Sequence, residues 1–232
     1  NLKVEMEDMS RKCEFEQAAR TRDQIRAIGA LYSGTRDINY FKEAEQLQRA
    51  LNLPRLPERV ETFDISNIMG NQAVGSMVVH EGKGMKNSEY RKFKIRTIHG
   101  PNDFAMLQEV LYRHYSRVKE AQGKLPDLIL IDGGKGQLSA ALEVLERLNL
   151  KQMDIIGLAK AHDEKSERVF LPGASEAIPL PPTSSATHLL QRIRDEAHRF
   201  AIIYHRKLRD QEMVSSVLDE IDGIGDARKR AL

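Results

Sequence analysis

Hydrophobic positions recur along this chain with two different periods, and the switches between them mark out its elements. Over residues 1–29 the period is helical. Leu2, Met6, Met9 and Cys13 share one stripe, and Phe15, Ala18, Ala19, Ile25 and Ile28 share another, the spacing of a helical hairpin. Gly29 and Gly34 interrupt, a short helix is predicted from about Tyr40 to Leu51, and Pro54 and Pro57 mark a boundary. From Val60 the period falls towards two. One strand is predicted from Val60 to Ile65, ending at Asp64; a second runs from Ala73 to Val79; Tyr90, Phe93 and Ile95 mark a third. Gly70-Asn71 and Gly82-Lys83-Gly84 supply the turns, so three consecutive antiparallel strands are expected. Phe104, Leu107, Leu111 and Val118 return to the helical spacing. Leu128 to Ile131 is an unbroken apolar run, as in a central strand covered on both faces, and Asp132 closes it. Gly133, Gly134 and Gly136 follow, then Leu138, Ala141, Leu142, Leu145 and Leu148 trace another helix. Asp154 to Leu158 predicts one more strand. Residues 161–183 are loop-rich, with space for a short hairpin around Val169 to Leu171. A long helix from about Ser184 to Leu208 and a shorter one from about Gln211 to Ile221 complete the pattern.

Three antiparallel strands, a helix, a parallel strand, a helix and a last strand make an α/β domain with a mixed sheet and flanking helices. This order is the one found in ribonuclease H-like folds. The organisation that follows is a helical hairpin at 1–29, a linker at 30–57, the α/β domain at 58–210 and a closing segment at 211–232.

In such a sheet the first strand and the strand at Leu128 lie side by side and parallel, which brings Asp64 and Asp132 together at their carboxyl ends. Ligands in open α/β sheets bind at strand carboxyl ends. Two carboxylates held close repel each other and favour a divalent cation, and hard oxygen ligands select magnesium or manganese. Asp132 taken alone has a second reading, as a cap of the helix that follows. The three glycines argue against a plain cap, because they suggest that something approaches the backbone closely. They do not form a nucleotide P-loop, since Gly-x-x-x-x-Gly-Lys-Ser/Thr is absent.

Composition narrows the partners. Among 232 residues, 30% are charged, yet the net charge is only +2, so affinity for nucleic acid must come from local patches. With no Trp and 6% aromatic residues, the composition argues against a single-strand stacking platform. The lone Cys13 excludes intramolecular disulfides and Cys-rich zinc sites, which reads as a reducing, cytoplasmic setting. No apolar run approaches the roughly 18 residues of a membrane span. The chain begins at Asn1 without Met, ends in a basic run at Leu232, and reads as a fragment. The hairpin at 1–29 mixes six basic with six acidic residues between Lys3 and Arg26 and buries little apolar surface by itself, so it calls for a partner.

Two basic regions stand out. The third strand carries Arg91, Lys92, Lys94 and Arg96, which either protect a sheet edge or contact phosphates. The long helix sets Leu190, Ile193, Ala197, Ala201 and Tyr204 on an apolar face, and Gln191, Arg194, Asp195, His198 and His205 on a second. Arg192, Arg194, Arg199, Arg206, Lys207 and Arg209 make this helix basic. His198 is either a satisfied structural histidine or a proton-transfer or phosphate-contact residue.

Four motifs, Phe63-Asp64-Ile65-Ser66, Tyr90-Arg91-Lys92-Phe93-Lys94-Ile95, Leu130-Ile131-Asp132-Gly133-Gly134-Lys135-Gly136-Gln137-Leu138 and Ile193-Arg194-Asp195-Glu196-Ala197-His198-Arg199-Phe200-Ala201, with Tyr204-His205-Arg206-Lys207 after them, resemble the C-terminal half of the UvrC family of excinucleases. The resemblance implies a metal-dependent endonuclease of nucleotide excision repair, within the SOS response, that incises damaged double-stranded DNA 5′ to the lesion. It implies Asp64 and Asp132 as catalytic acids and ligands of Mg2+ or Mn2+, His198 as the catalytic histidine, and Asp103 as a further acid. The residues alone read Asp103 as a helix N-cap. DNA contacts are expected from Lys135, Gln137, Arg91, Lys92, Lys94, Arg194, Arg199, Arg206 and Lys207. Cys13 to Ile25 resembles the UVR motif, which implies that residues 1–29 bind UvrB, the damage-loading helicase of the excinuclease. Gly223-Ile224-Gly225 resembles the first hairpin of a helix-hairpin-helix unit. The family's N-terminal nuclease domain and second helix-hairpin-helix have no counterpart in this sequence, and Pro182 to Thr187 departs from the family's pattern. Two rival functions remain: a non-catalytic nucleic-acid adaptor, marked by a lost acid, and a nucleotide-binding switch built on the glycine loop.

Overall fold

The computed structural model describes Met9, Arg11, Gln17, Thr21 and residues 40–68, 72–98, 100, 102–160 and 167–219. The chain divides into two units, Asn1–Glu43 and Ala44–Leu232. The hairpin expected at 1–29 lies almost wholly outside the described residues, as do the linker up to residue 39 and the Gly223-Ile224-Gly225 motif. Helix α1 covers residues 40–51, as predicted, and buries Ala44, Leu47 and Leu51.

The second unit is built on one eight-stranded mixed sheet. Its strands are β1 (Arg59–Ile68), β2 (Gln72–Glu81), β3 (Gly84–Met85), β4 (Arg91–Lys94), β5 (Leu128–Asp132), β6 (Asp154–Lys160), β7 (Glu167–Phe170) and β8 (Ile178–Leu180). Spatial order is β3-β2-β1-β5-β6-β7-β8, with β4 also on β2. β1 runs antiparallel to β2 and parallel to β5, and β5 runs parallel to β6. The expected central placement of the Leu128 strand and its parallel neighbour are both found. Two-residue β3 and three-residue β8 carry too little alternation to be read from the sequence.

Helices α2 (Asp103–Glu120) and α3 (Lys135–Arg147) share a core with Phe63, Met77, Val79, Ile129 and Ile131 of the sheet. Helix α4 (Ser185–Asp219) lies against β1 and β2. Side chains alternate across a strand, so Glu61, Phe63 and Ile65 of β1 face α2, while Thr62 and Asp64 face α4. α4 is one continuous helix, where the sequence suggested a break near residue 210. Nothing between Leu208 and Gln211 is a glycine or proline, so the backbone hydrogen bonds have no reason to stop there. Among the described residues no helix is long and apolar enough to cross a membrane.

Candidate active site

Strand register sets the two acids beside each other. The parallel pairing of β1 with β5 runs from Val60 opposite Leu128 to Phe63 opposite Ile131. Asp64 and Asp132 are the next residues on each strand, and both project towards α4. Asp132 ends β5, as expected. Asp64 does not end β1: the strand continues to Ile68 because β2 pairs along its whole length. What ends before Asp64 is the pairing with β5, whose last matched residues are Phe63 and Ile131.

Helix α4 closes the group. His198 Nδ1 lies 3.1 Å from Asp64 Oδ2 and 3.4 Å from Asp132 Oδ2. Ser66 Oγ donates to the same Asp64 oxygen at 3.1 Å. One ligand atom from each of Asp64, Asp132 and His198 falls within 4.8 Å of the others. Side-chain exposure is 5% for Asp64 and 14% for Asp132 but 50% for His198, so the cluster is open on the histidine's side.

The electrostatics are those of crowded acids. Burial, and then the neighbouring Asp64 carboxylate, push the Asp132 carboxyl up to about 6, against the opposing pull of His198 and Arg194. His198 is raised above the usual imidazole value, first by its bond to Asp64 and against its own desolvation, with both carboxylates adding to the rise. A divalent cation would relieve the repulsion that raises Asp132. Two carboxylate oxygens on an open cluster fit magnesium or manganese, which take hard oxygen ligands and keep several coordination positions for water and phosphate; the His198 nitrogen stands beside them, held on Asp64.

The glycine loop serves packing of the protein on itself. A Cβ on Gly133 would sit 1.5 Å from Gln137 Oε1, and one on Gly136 would sit 2.8 Å from the Phe104 ring. What approaches the backbone is therefore Gln137 and Phe104. The cap of α3 is Gly134, with no side-chain bond. Asp132 thus caps nothing, and its carboxylate is left to Asp64 and His198. Asp103 is also not a cap. Asn102 holds that position, accepting from the Ala105 amide at 3.1 Å, because its side chain is one residue earlier and can reach back over the first turn. Asp103 is the exposed first residue of α2 and stands outside the cluster.

The residues expected to touch DNA divide by environment. Lys135, Lys94 and Arg206 are exposed. The Lys92 ammonium lies 4.8 Å from the Phe200 ring centre and 4.7 Å from that of Tyr204. The register Asp64–Ser76–Lys92 sets it two strands from Asp64 on the same sheet face. Arg91 is exposed on the other face and donates to the carbonyls of Ser88 and Tyr90. Gln137 is folded onto Gly133, and Arg199 donates twice to Glu196, at 2.7 Å each. Arg194 departs from the expectation. It is 5% exposed and donates from Nη1 to Glu167 Oε2 at 2.6 Å. Its guanidinium is turned inward onto Glu167, and its charge opposes the rise of the Asp132 carboxyl. The side chain of Lys207 is outside the described residues.

Glu167 was invisible to sequence reasoning. It sits in a charged, loop-rich stretch with no periodicity, and only the fold shows that it is buried under Arg194 and Gln191. Ser66 carried a weak signal, two residues after Asp64 and so on its face of the strand. Tyr90 donates to Glu196 at 2.9 Å and stacks edge-on against Phe200, tying β4 to α4.

Residues 48–202 match the family model of the UvrC RNAse H endonuclease domain, and residues 1–31 match that of the UvrB/uvrC motif. UvrABC system protein C of Methanosphaera stadtmanae is 52% identical over 194 residues, which cover 80% of this chain and 32% of that protein. Its counterpart in Dehalococcoides mccartyi is 48% identical over 192 residues, covering 81% of this chain and 31% of that protein. The chain thus spans about a third of the length of the relatives it matches. Among solved structures, Ciona intestinalis Endonuclease V in complex with a 24mer DNA aligns with a TM-score of 0.42 and 14% identity, over 71% of this chain and 95% of that one.

Proposed function

The chain belongs to the UvrC family, and on that premise we propose that it is a metal-dependent DNA endonuclease making the incision 5′ to a lesion in nucleotide excision repair. The observation that carries the reading is the convergence of Asp64, Asp132 and His198 within 4.8 Å where the central strands β1 and β5 part. Both acids are present, which is what the adaptor reading lacks. Gln137 crowds Gly133 and Phe104 crowds Gly136, with only Gly134 open, and no P-loop pattern surrounds it to support the nucleotide-switch reading.

Asp64 and Asp132, with His198 beside them, would hold Mg2+ or Mn2+, whose chemistry is to polarise a phosphodiester and acidify a bound water. The protein's own groups do the rest. Ser66 and the strand register fix the Asp64 carboxylate. With Nδ1 directed at Asp64, the other ring nitrogen of His198 takes or returns the proton exchanged with attacking water or leaving oxygen. Lys92, Lys94 and Lys135 attract and align the backbone. Residues 1–29 bind UvrB through the UVR motif, and the segment after α4, with Gly223-Ile224-Gly225, begins a helix-hairpin-helix contact with duplex DNA.

The test is nicking of a damaged or bubble duplex by the purified chain with UvrB, with and without manganese. Asp132→Asn should abolish nicking while circular dichroism is unchanged, and His198→Ala should slow single turnovers by roughly 10² to 10⁴ with DNA affinity kept. Full-rate cutting by a folded Asp132→Asn protein would refute the metal-site assignment.

A further inference from the structure

On the sheet face opposite the acids, α2, α3 and the segment after β4 enclose a groove of about 590 Å³, lined by Arg96, Tyr112, Arg113, Arg117 and Arg147 around Glu109. The one carboxylate is fully engaged. Glu109 accepts from the backbone amides of Arg96 and Thr97 at 3.0 Å each, from the Thr97 hydroxyl at 2.7 Å and from Arg113 at 2.9 Å. These bonds pin the chain after β4 to α2 and fix Arg96 at the rim. Arg113 is engaged too, donating to the Lys94 carbonyl at 2.8 Å. Arg96, Arg117 and Arg147 remain exposed, with no side-chain ion pair among the described residues.

One observation points to a ligand rather than to a solvated basic face. The Arg147 guanidinium lies 5.0 Å from the centre of the Tyr112 ring, and Tyr112 is 42% exposed. A tyrosine and a guanidinium stacked at a surface present flat faces suited to a nucleobase. Arg117 also borders an adjoining cavity of about 320 Å³ with Arg59, Arg91 and Lys124. There Arg59 is already paired with Glu61, Glu81 and Glu89, and Glu61 and Glu89 line the same cavity, so the unbalanced positive charge lies in the groove itself.

We propose that this groove binds single-stranded nucleic acid, with Arg96, Arg117 and Arg147 on backbone phosphates and a base stacked on the Tyr112–Arg147 pair. Charge alone would serve an acidic peptide equally well; the exposed stack favours a nucleobase. The inference rests on the proposed activity for its substrate class, and is independent of the metal site. It gives the domain a hold on unpaired DNA behind the sheet, separate from the strand presented to Asp64 and Asp132.

Binding of a labelled oligothymidylate to the whole chain in EDTA, followed by fluorescence anisotropy across a salt series, tests it. Arg117→Ala with Arg147→Ala should weaken binding about tenfold or more, and should lower the slope of log affinity against log salt by about 1.4, at roughly 0.7 per phosphate on a single strand. Tyr112→Ala should weaken binding about fivefold or more, as loss of one stacked base does, and leave the salt slope alone. Both arginines lie in the last turn of their helices, where cations offset the dipole. Arg117→Lys with Arg147→Lys keeps that charge, so it should keep the salt slope and lose only the stacking part. Wild-type affinity and slope in the alanine and Tyr112 variants would overturn the proposal, as would equal competition by polyglutamate. Unchanged binding in these variants, with nicking still dependent on Asp132, rejects the groove alone. Groove-dependent binding in a chain whose Asp132→Asn variant still cuts rejects the metal site alone.

Discussion

Arg194 reaches from α4 to Glu167 on β7, Nη1 to Oε2 at 2.6 Å, and both side chains are less than 8% exposed. Gln191 donates to the other Glu167 oxygen at 3.1 Å. The pair braces the helix one turn before His198. Removing one member of a buried pair strands the other charge, which costs about 3–5 kcal/mol. Glu167→Gln and Arg194→Ala should each lower unfolding free energy by about that amount in urea titrations. DNA affinity of the folded fraction should be nearly unchanged, since Arg194 is turned inward. A selective loss of DNA affinity at constant stability would restore Arg194 to the binding surface.

Asp132 costs stability that the site requires. Its carboxyl is raised to about 6 by burial and by Asp64, so at neutral pH without metal it ionises at a cost to the fold. A raised acid contributes stability below its unfolded value near 3.8, and loses it as pH rises through 6. Asp132→Asn removes the charge in a similar shape. In EDTA at pH 7 the variant should be more stable by about 1–3 kcal/mol, at about 1.4 kcal/mol per pH unit, while nicking is lost. A lower melting temperature for the variant in EDTA would show that the carboxylates do not repel each other at close range.

His80 supplies a pH dependence of the opposite sign. It is 1% exposed on β2, and burial, with Arg192 nearby, lowers it to about 4. Between about pH 6.5 and 4 the unfolded chain takes up a proton there that the folded chain refuses. Stability from this group is complete above pH 6.5 and falls as pH drops to 4, by at most about 3 kcal/mol. The difference in unfolding free energy between wild type and His80→Gln should therefore shrink over that window and stay flat above it. A constant difference from pH 7 to 4 would show that His80 titrates normally.

Lys92 and Arg91 are sequence neighbours on opposite faces of β4. Lys92 and Lys94 share the face of Asp64, and Lys92 is steadied over Phe200 and Tyr204. Replacing either lysine by alanine should reduce the salt slope of duplex binding by about 0.9 for each phosphate it releases. Arg91→Ala should leave it unchanged, because Arg91 lies on the face that α2 covers. Equal effects at all three positions would mean general attraction rather than an aligned track.

Most elements and the key acids were legible in the chain's own pattern, apart from the short β3 and β8 and the unbroken run of α4 past residue 210. The apolar run at Leu128–Ile131, bounded by Pro126 and by Gly133-Gly134, reads as a strand buried on both faces, and the acid that follows it emerges at the strand's carboxyl end. The helical stripe through Ile193, Ala197 and Ala201 likewise fixed which side of α4 is buried, and so left His198 on its margin. Tertiary structure decided everything that depends on contacts between distant segments. Register set Asp64 level with Asp132, although β1 runs on to Ile68. Packing of Phe104 and of Gln137 accounted for glycines that a local reading assigned to a ligand. The pairing of Arg194 with Glu167 turned an apparent DNA contact into an internal brace. Periodicity reports which face of an element is buried, since burial follows from the repeat of the backbone. It does not report what a polar side chain meets there, because that partner arrives from another part of the chain.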